Sequence, residues 1–349
     1  MDQDNPHQGL IEIAQDTVTN LMTGSSIPAP VRRNAFKAFG QLCTAAIDIP
    51  VSHLEGIAAE KRAETQARVK LIDIGADQIA QQMEMPAEYA RAAVKKYGQK
   101  IIREQANLDM VSEIAARQIQ QQAVLPKPEF DATAEVPPIN EDWLNNFEKQ
   151  ASQKSTEEMQ ILFGRILAGE IQKPSSFSIK TVNLLGELDS GVAALFMQLC
   201  SLCVCLKAED HYVDARVMSL AGNAASNALR NYGLNFDQLN ILQEHDLIIS
   251  DYNSYFDYRM CVARKAGGVS NLVAFPFHYQ NKDYAFLPIG ERSEDQALQL
   301  YGVALSKSGK ELLRIIEIQP SEDYTRALTD YFVRQNLQMI EIGKPIKNY

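Results

Sequence analysis

Cys200, Cys203 and Cys205 stand almost together in the chain, with His211 close behind. Thiolates and imidazoles are the ligands of a tetrahedral zinc ion, so the cluster invites a metal reading. The spacing argues otherwise. The apolar stretch Val192–Leu206 reads as a buried helix, on which positions 200 and 203 share a face while 205 lies on another. Three thiolates so placed do not converge, and no second cysteine pair completes the set. Buried, reduced thiols are the reading that fits, since cysteine is among the most buried residue types.

His245-Asp246 is the other pair with metal-ligand chemistry, as in metal-dependent phosphohydrolases, with His211 and Asp257 as the further ligands it would need. The following Leu247-Ile248-Ile249 sets this pair at a helix end, where a histidine interacts favourably with the helix dipole. Phosphate-loop, dinucleotide, nucleophile-elbow and zinc-protease motifs are all missing, and Gly309-Lys310 lacks its upstream glycine and following Ser or Thr. No glutamate precedes a lysine by two, so a nuclease of that kind is unsupported. The sequence therefore offers no catalytic, cofactor-binding or metal-binding residues, and no cofactor is expected.

One charge feature stands out. Arg91, Lys95, Lys96, Lys100 and Arg103 fall in a stretch without a single acid. On a helix they occupy the half opposite Ala93, Tyr97 and Ile101, as a solvated face would. The functional alternative is a docking strip for an acidic protein partner or for nucleic acid. The formal net charge of −10 speaks against general nucleic-acid binding, which depends on neutralising phosphates. Odd cysteine number, no basic N-terminal segment before Gln15 and no apolar run of about 20 residues point to a cytoplasmic protein without a membrane partner.

The elements that must carry these residues read as mainly α. A Pro-rich stretch with Pro126, Pro128, Pro137 and Pro138 marks a linker. This divides the chain into a helical hairpin or bundle over 1–123, a linker over 124–139, a helical domain over 140–232 and an α+β unit over 233–349. Leu10–Met22 and a segment opened by Pro30 are short helices. Val51–Met83 and Ala87–Gln122 make a long αα-hairpin, turning at Glu84-Met85-Pro86. Asn140, Ser178 and Asp189 are N-caps, and Ser155–Glu158 has the spacing of a capping box. The helix begun at Asp189 should run to Leu206, with another over Asp214–Asn231. Beyond Asn235 come a short helix, a strand at 256–262, a hairpin over 273–289, helices at 307–316 and 320–334, and a strand at 337–342. Helix, short helix and hairpin together suggest a winged-helix-like unit. Its would-be recognition helix, Phe236–His245, carries Asp237 and Glu244 and no Lys or Arg, which suits protein contact better than DNA.

Several short runs carry a family resemblance. They are Trp143-Leu144 with Phe147, Glu157–Gln160, Arg165–Glu170, Pro174, Ser176–Ser178 and Thr181, with Gln105–Leu108 and Ala115 upstream and Leu305–Leu312 downstream. Together they resemble the bacterial family of domain of unknown function 2806. The pattern departs at Ser175, where glycine usually follows the proline. Glu158–Gly169 is also similar to a segment of abortive-infection proteins, which implies phage defence. No catalytic residue is carried over by either resemblance. The expectation is a non-enzymatic adaptor or effector acting through protein partners, as a homo-oligomer associating through the long hairpin. Nucleic-acid binding through Arg91–Arg103 and an unrecognised hydrolase are the alternatives.

Overall fold

Pro28 and Pro30 start the first helix, and the computed structural model describes residues 27–43, 86–124, 136–208, 211–220, 222–265, 272–290, 293 and 296–342. The expected helices Leu10–Met22 and Val51–Met83, and residues 125–135 of the expected linker, lie outside the described residues. The chain divides into two compact units, Met1–Gly186 and Glu187–Tyr349.

The first unit is helical: α1 (Ala29–Leu42), α2 (Ala87–Val124), α3 (Glu141–Ala151), α4 (Glu157–Gln172) and most of α5 (Ile179–Glu187). Asn140 caps α3 as its type predicts, accepting from the Trp143 amide, with Glu141 and Asp142 in the first turn. The Ser155–Glu158 box does not form. Helix α4 starts after Thr156 without a side-chain cap, and the Ser155 hydroxyl instead accepts from Asn107 Nδ2 at 3.1 Å.

Helices α2 and α4 run parallel, because Asn107 meets Ser155 and Gln160 while Gln122 meets Gln172. Gly164 permits their approach: a Cβ there would lie 2.5 Å from Ile114 Cγ2. Helix α1 runs against α2, with Leu42 O accepting from Gln105 Nε2 at 2.9 Å. At the far end of α1, buried Asn34 donates to Pro137 O and Ile171 O and accepts from the Ile139 amide. Phe39, Leu144, Phe147, Phe163, Ile166 and Leu167 fill the core. This contact register sets the ends of α1, α3 and α4 level with about residue 106 of α2. The first half of α2 therefore runs on for roughly 30 Å at 1.5 Å per residue.

The second unit corrects the fold class. It is neither mainly α nor a winged helix. After α6 (Ser190–Ser201), which Asp189 caps through the Val192 amide, the chain turns into strands. Those of the sheet are β1 (Val204–Ala208), β2 (His211–Met218), β3 (Ser254–Asp257), β6 (Phe277–Tyr279), β7 (Lys282–Pro288), β8 (Gln299–Ala304) and β9 (Leu337–Glu341). Among the described residues they form a seven-stranded, curled antiparallel sheet, a half-barrel, in the order β3-β8-β2-β1-β6-β7-β9. Strands β4 (Arg264–Lys265) and β5 (Leu272–Val273) pair separately.

The expected helices to Leu206 and over Asp214–Asn231 are thus β1 and β2, followed by two 3-10 turns. The physical reason is burial. Strand β1 is paired on both edges, and Val204–Leu206 are buried whichever way their side chains point. Such a short apolar run cannot be told from a buried helix by periodicity, and no Gly or Pro separates it from α6.

Other expectations hold. The hairpin forms between β6 and β7, and its loop Gln280-Asn281 has φ of 46° and 62°, the left-handed pair that matches strand twist. Helices α7 (Phe236–Glu244), α8 (Lys307–Leu313) and α9 (Glu322–Arg334) stand where periodicity places them. Helix α9 covers the sheet through Phe332 on Phe286, centroids 4.3 Å apart, and through Thr325 Oγ1, 2.7 Å from the Tyr279 hydroxyl. Gly302 lets β8 lie against β2, since a Cβ would sit 2.0 Å from Val217 O.

Candidate functional site

Most of the chain's buried polar chemistry is spent on holding the fold. Glu170 is buried at the end of α4 and its carboxylate accepts three consecutive backbone amides: Oε1 from Ser175 at 2.6 Å, Oε2 from Ser176 at 3.0 Å and from Phe177 at 3.1 Å. The Phe177 ring rests on Gly169, where a Cβ would lie 2.7 Å away. Trp143 Nε1 donates to Phe177 O at 2.8 Å. Ser178 then caps α5 through the Thr181 amide. These are residues from separate runs of the sequence motif, brought together as a clasp between α3, α4 and α5. Ser175 has φ of 67°, a conformation that glycine adopts without strain.

The three crowded cysteines straddle a change of element: Cys200 on α6, Cys203 just beyond it and Cys205 on β1, all buried. Cys203 Sγ points to Leu199 O at 3.4 Å, and Cys205 Sγ to Cys203 O at 3.8 Å. Burial, then the neighbouring thiol of Cys205, pushes the Cys200 and Cys203 thiols well above their usual range; burial and Asp214 push Cys205 up. They are unreactive thiols in this setting. His211 is exposed at the start of β2, and His245 is the C-cap of α7. Asp257 accepts from Arg259 and from the Leu298 amide. Among the described residues no group of three or more His, Cys, Asp and Glu side chains is placed to hold a metal ion.

The constellation that sequence reading missed is Asp214, Arg216 and Tyr258. Arg216, 3% exposed, grips Asp214 with both Nε (2.6 Å) and Nη2 (2.7 Å). Its Nη1 donates to Ser254 O at 2.7 Å and Leu300 O at 3.0 Å, tying β2 to β3 and β8. The Tyr258 hydroxyl donates to Asp214 Oδ2 at 2.9 Å. Burial first, and the Asp214 charge second, hold that hydroxyl well above the usual phenol range, so it stays a donor. The only sequence signal is an acid and a base two apart on one strand face. Its partners sit in remote segments. Fully engaged and shut from solvent, this triad has no hand left for a substrate.

Among the described residues, the basic face of α2 is an exposed feature of another kind. Arg91, Lys95, Lys96, Lys100 and Arg103 are all exposed on its first half, beyond the ends of α1, α3 and α4. Lys100 lies 3.6 Å from Glu104. At 3.6 residues per turn, Tyr89 and Ile102 fall among the cations on the same half of the helix, and they are 65% and 72% exposed. Tyr97, on the opposite half, is exposed too. No helix among the described residues is long and apolar enough to cross a membrane.

The described residues thus form a helical unit whose motif residues build a clasp and a curled sheet braced by the buried Asp214–Arg216 pair. The family model described as protein of unknown function DUF2806 matches residues 91–329, and the chain belongs to that family. No curated protein and no solved structure matches it.

Proposed function

We propose that this protein is a non-enzymatic adaptor or effector that works through protein–protein contact, and that the basic half of α2 is its contact surface. The observation that carries this reading is the pairing of five exposed cations with exposed Tyr89 and Ile102 on the half of α2 that extends past the ends of α1, α3 and α4. Aromatic and arginine side chains on a surface are the residues that anchor protein interfaces. A chain of net charge −10 and an apolar admixture in the strip favour an acidic protein over phosphate backbones, which need neither. A setting in phage defence is supported by the resemblance of Glu158–Gly169 to abortive-infection proteins.

A photo-crosslinking residue in place of Tyr89, in cells carrying the full chain, tests the reading. The expected product is a discrete protein adduct that disappears when Lys95, Lys96 and Lys100 are changed to Glu. Adducts to nucleic acid, or a protein adduct indifferent to the charge reversal, would overturn it.

A further inference from the structure

The strip has a complement within the same sequence. Residues 231–258 contain no lysine or arginine and carry Asp237, Glu244, Asp246 and Asp251, besides the Arg259-bound Asp257. Helix α7 buries Leu239 and Leu242. Its outer face, at 3.6 residues per turn, collects Phe236, Asp237, Ile241 and Glu244, all exposed. Asp246, Ile249 and Asp251 continue this exposure past the helix end. The face is braced. Asn235 and Gln238 form a reciprocal capping box, the Phe236 ring meets Tyr252 edge-on at 6.0 Å, and the Tyr252 hydroxyl donates to Asn240 at 2.8 Å.

We propose that the basic half of α2 docks on the acidic outer face of α7 in a second copy of the chain, giving head-to-tail self-association. This rests on the reading of α2 as a contact surface and names the partner. Charge complementarity argues for it: one surface has five cations against the flanking Glu88 and Glu104, the other four acids and no lysine or arginine. Each carries exposed apolar residues among its charges, Tyr89 and Ile102 against Phe236, Ile241 and Ile249. The lengths agree, since the strip spans about 18 Å and α7 about 12 Å before its acidic continuation. Two copies can satisfy both contacts in a reciprocal pair, or leave one strip and one acidic face for a further copy. Contacts of the second kind close into rings or continue into filaments. Exposed charges at an interface are screened beyond about 8 Å at physiological salt, so assembly weakens as salt rises.

Light scattering on the full chain, at low and high salt, tests this with three variants: K95E/K96E/K100E, D237K/E244K, and all five changes combined. The wild type is expected to show multiples of the chain mass that rise with concentration and fall with salt. Each charge reversal alone should weaken association at least tenfold, and the combination should restore it. Neutral variants, K95Q/K96Q/K100Q and D237N/E244Q, give intermediate losses and guard against misfolding in the reversed ones. A wild type that stays monomeric, association indifferent to either reversal, or absence of rescue would each overturn the proposal. If the monomer still gives the Tyr89-site adduct with a different protein, the second copy is excluded while the contact surface stands. An adduct with nucleic acid removes both.

Discussion

Glu170 Oε1 accepts the Ser175 amide at 2.6 Å, and Ser175 delivers that amide with φ at 67°. The left-handed conformation costs a side-chain-bearing residue about 1 kcal/mol or more, while the Ser175 side chain is exposed. Ser175→Gly keeps the hydrogen bond and removes the Cβ strain. It should stabilise the protein by about 0.5–1 kcal/mol, the added freedom of the unfolded glycine offsetting part of the gain. A rise in the denaturant midpoint at unchanged slope is the expected result.

The same carboxylate gives a sharper prediction in the other direction. Glu170→Ala leaves three amides without their acceptor, two of them in buried hydrogen bonds. A hydrogen bond to a charged group is worth about 1.5–3 kcal/mol, and stranded buried donors add a desolvation penalty. The loss should reach about 3 kcal/mol or more, with Glu170→Gln intermediate. Urea unfolding of the three proteins orders them; equal midpoints would show that the clasp contributes nothing.

Arg216→Leu should cost about 3–5 kcal/mol, because it abandons Asp214 in the interior. Replacing both by leucine should cost less than the two single changes added together, since no charge is then stranded. A double-mutant cycle measures the difference. Simple additivity would mean that the two side chains act independently despite their contact.

Alkaline pH should unfold the second unit. Burial pushes the Cys261 thiol from its usual value of 9.0 to about 12 and the Tyr279 hydroxyl from 10.0 to about 12. Cys200, Cys203, Tyr258 and Tyr324 shift the same way. Above pH 9 the unfolded chain releases protons that the folded chain retains, so stability falls as pH rises, by up to about 1.4 kcal/mol per pH unit for each such group. The denaturation midpoint should be level from about pH 7 to 8 and drop steeply above 9. A level profile to pH 10.5 would contradict the burial of these groups.

Local signals survived the passage from sequence to structure where the physics is local. Asn140, Ser178 and Asp189 cap helices because an N-cap needs only a side-chain oxygen two or three residues before a free amide. Gln280-Asn281 turns a hairpin because two residues must twist the right way. The curled sheet was hidden because β1 pairs on both edges and reads like a continuation of α6. The Asp214–Arg216 anchor was hidden for another reason: the carbonyls that Arg216 holds come from Ser254 and Leu300, 38 and 84 residues along the chain. The Arg91–Arg103 strip was readable as a basic helix face. Its projection past the ends of α1, α3 and α4 could come only from the packing register.

Trp143 is the chain's one tryptophan, and it lies in the first unit with its indole N–H bound to the Phe177 carbonyl. Intrinsic emission excited at the indole band is therefore blind to the sheet. An optical melt that looks like a single clean transition would describe half of the molecule, while the tyrosine-rich half could already have come apart unseen. Any study of how one half senses the other thus begins with a built-in reporter on one side and needs an introduced fluorophore on the other.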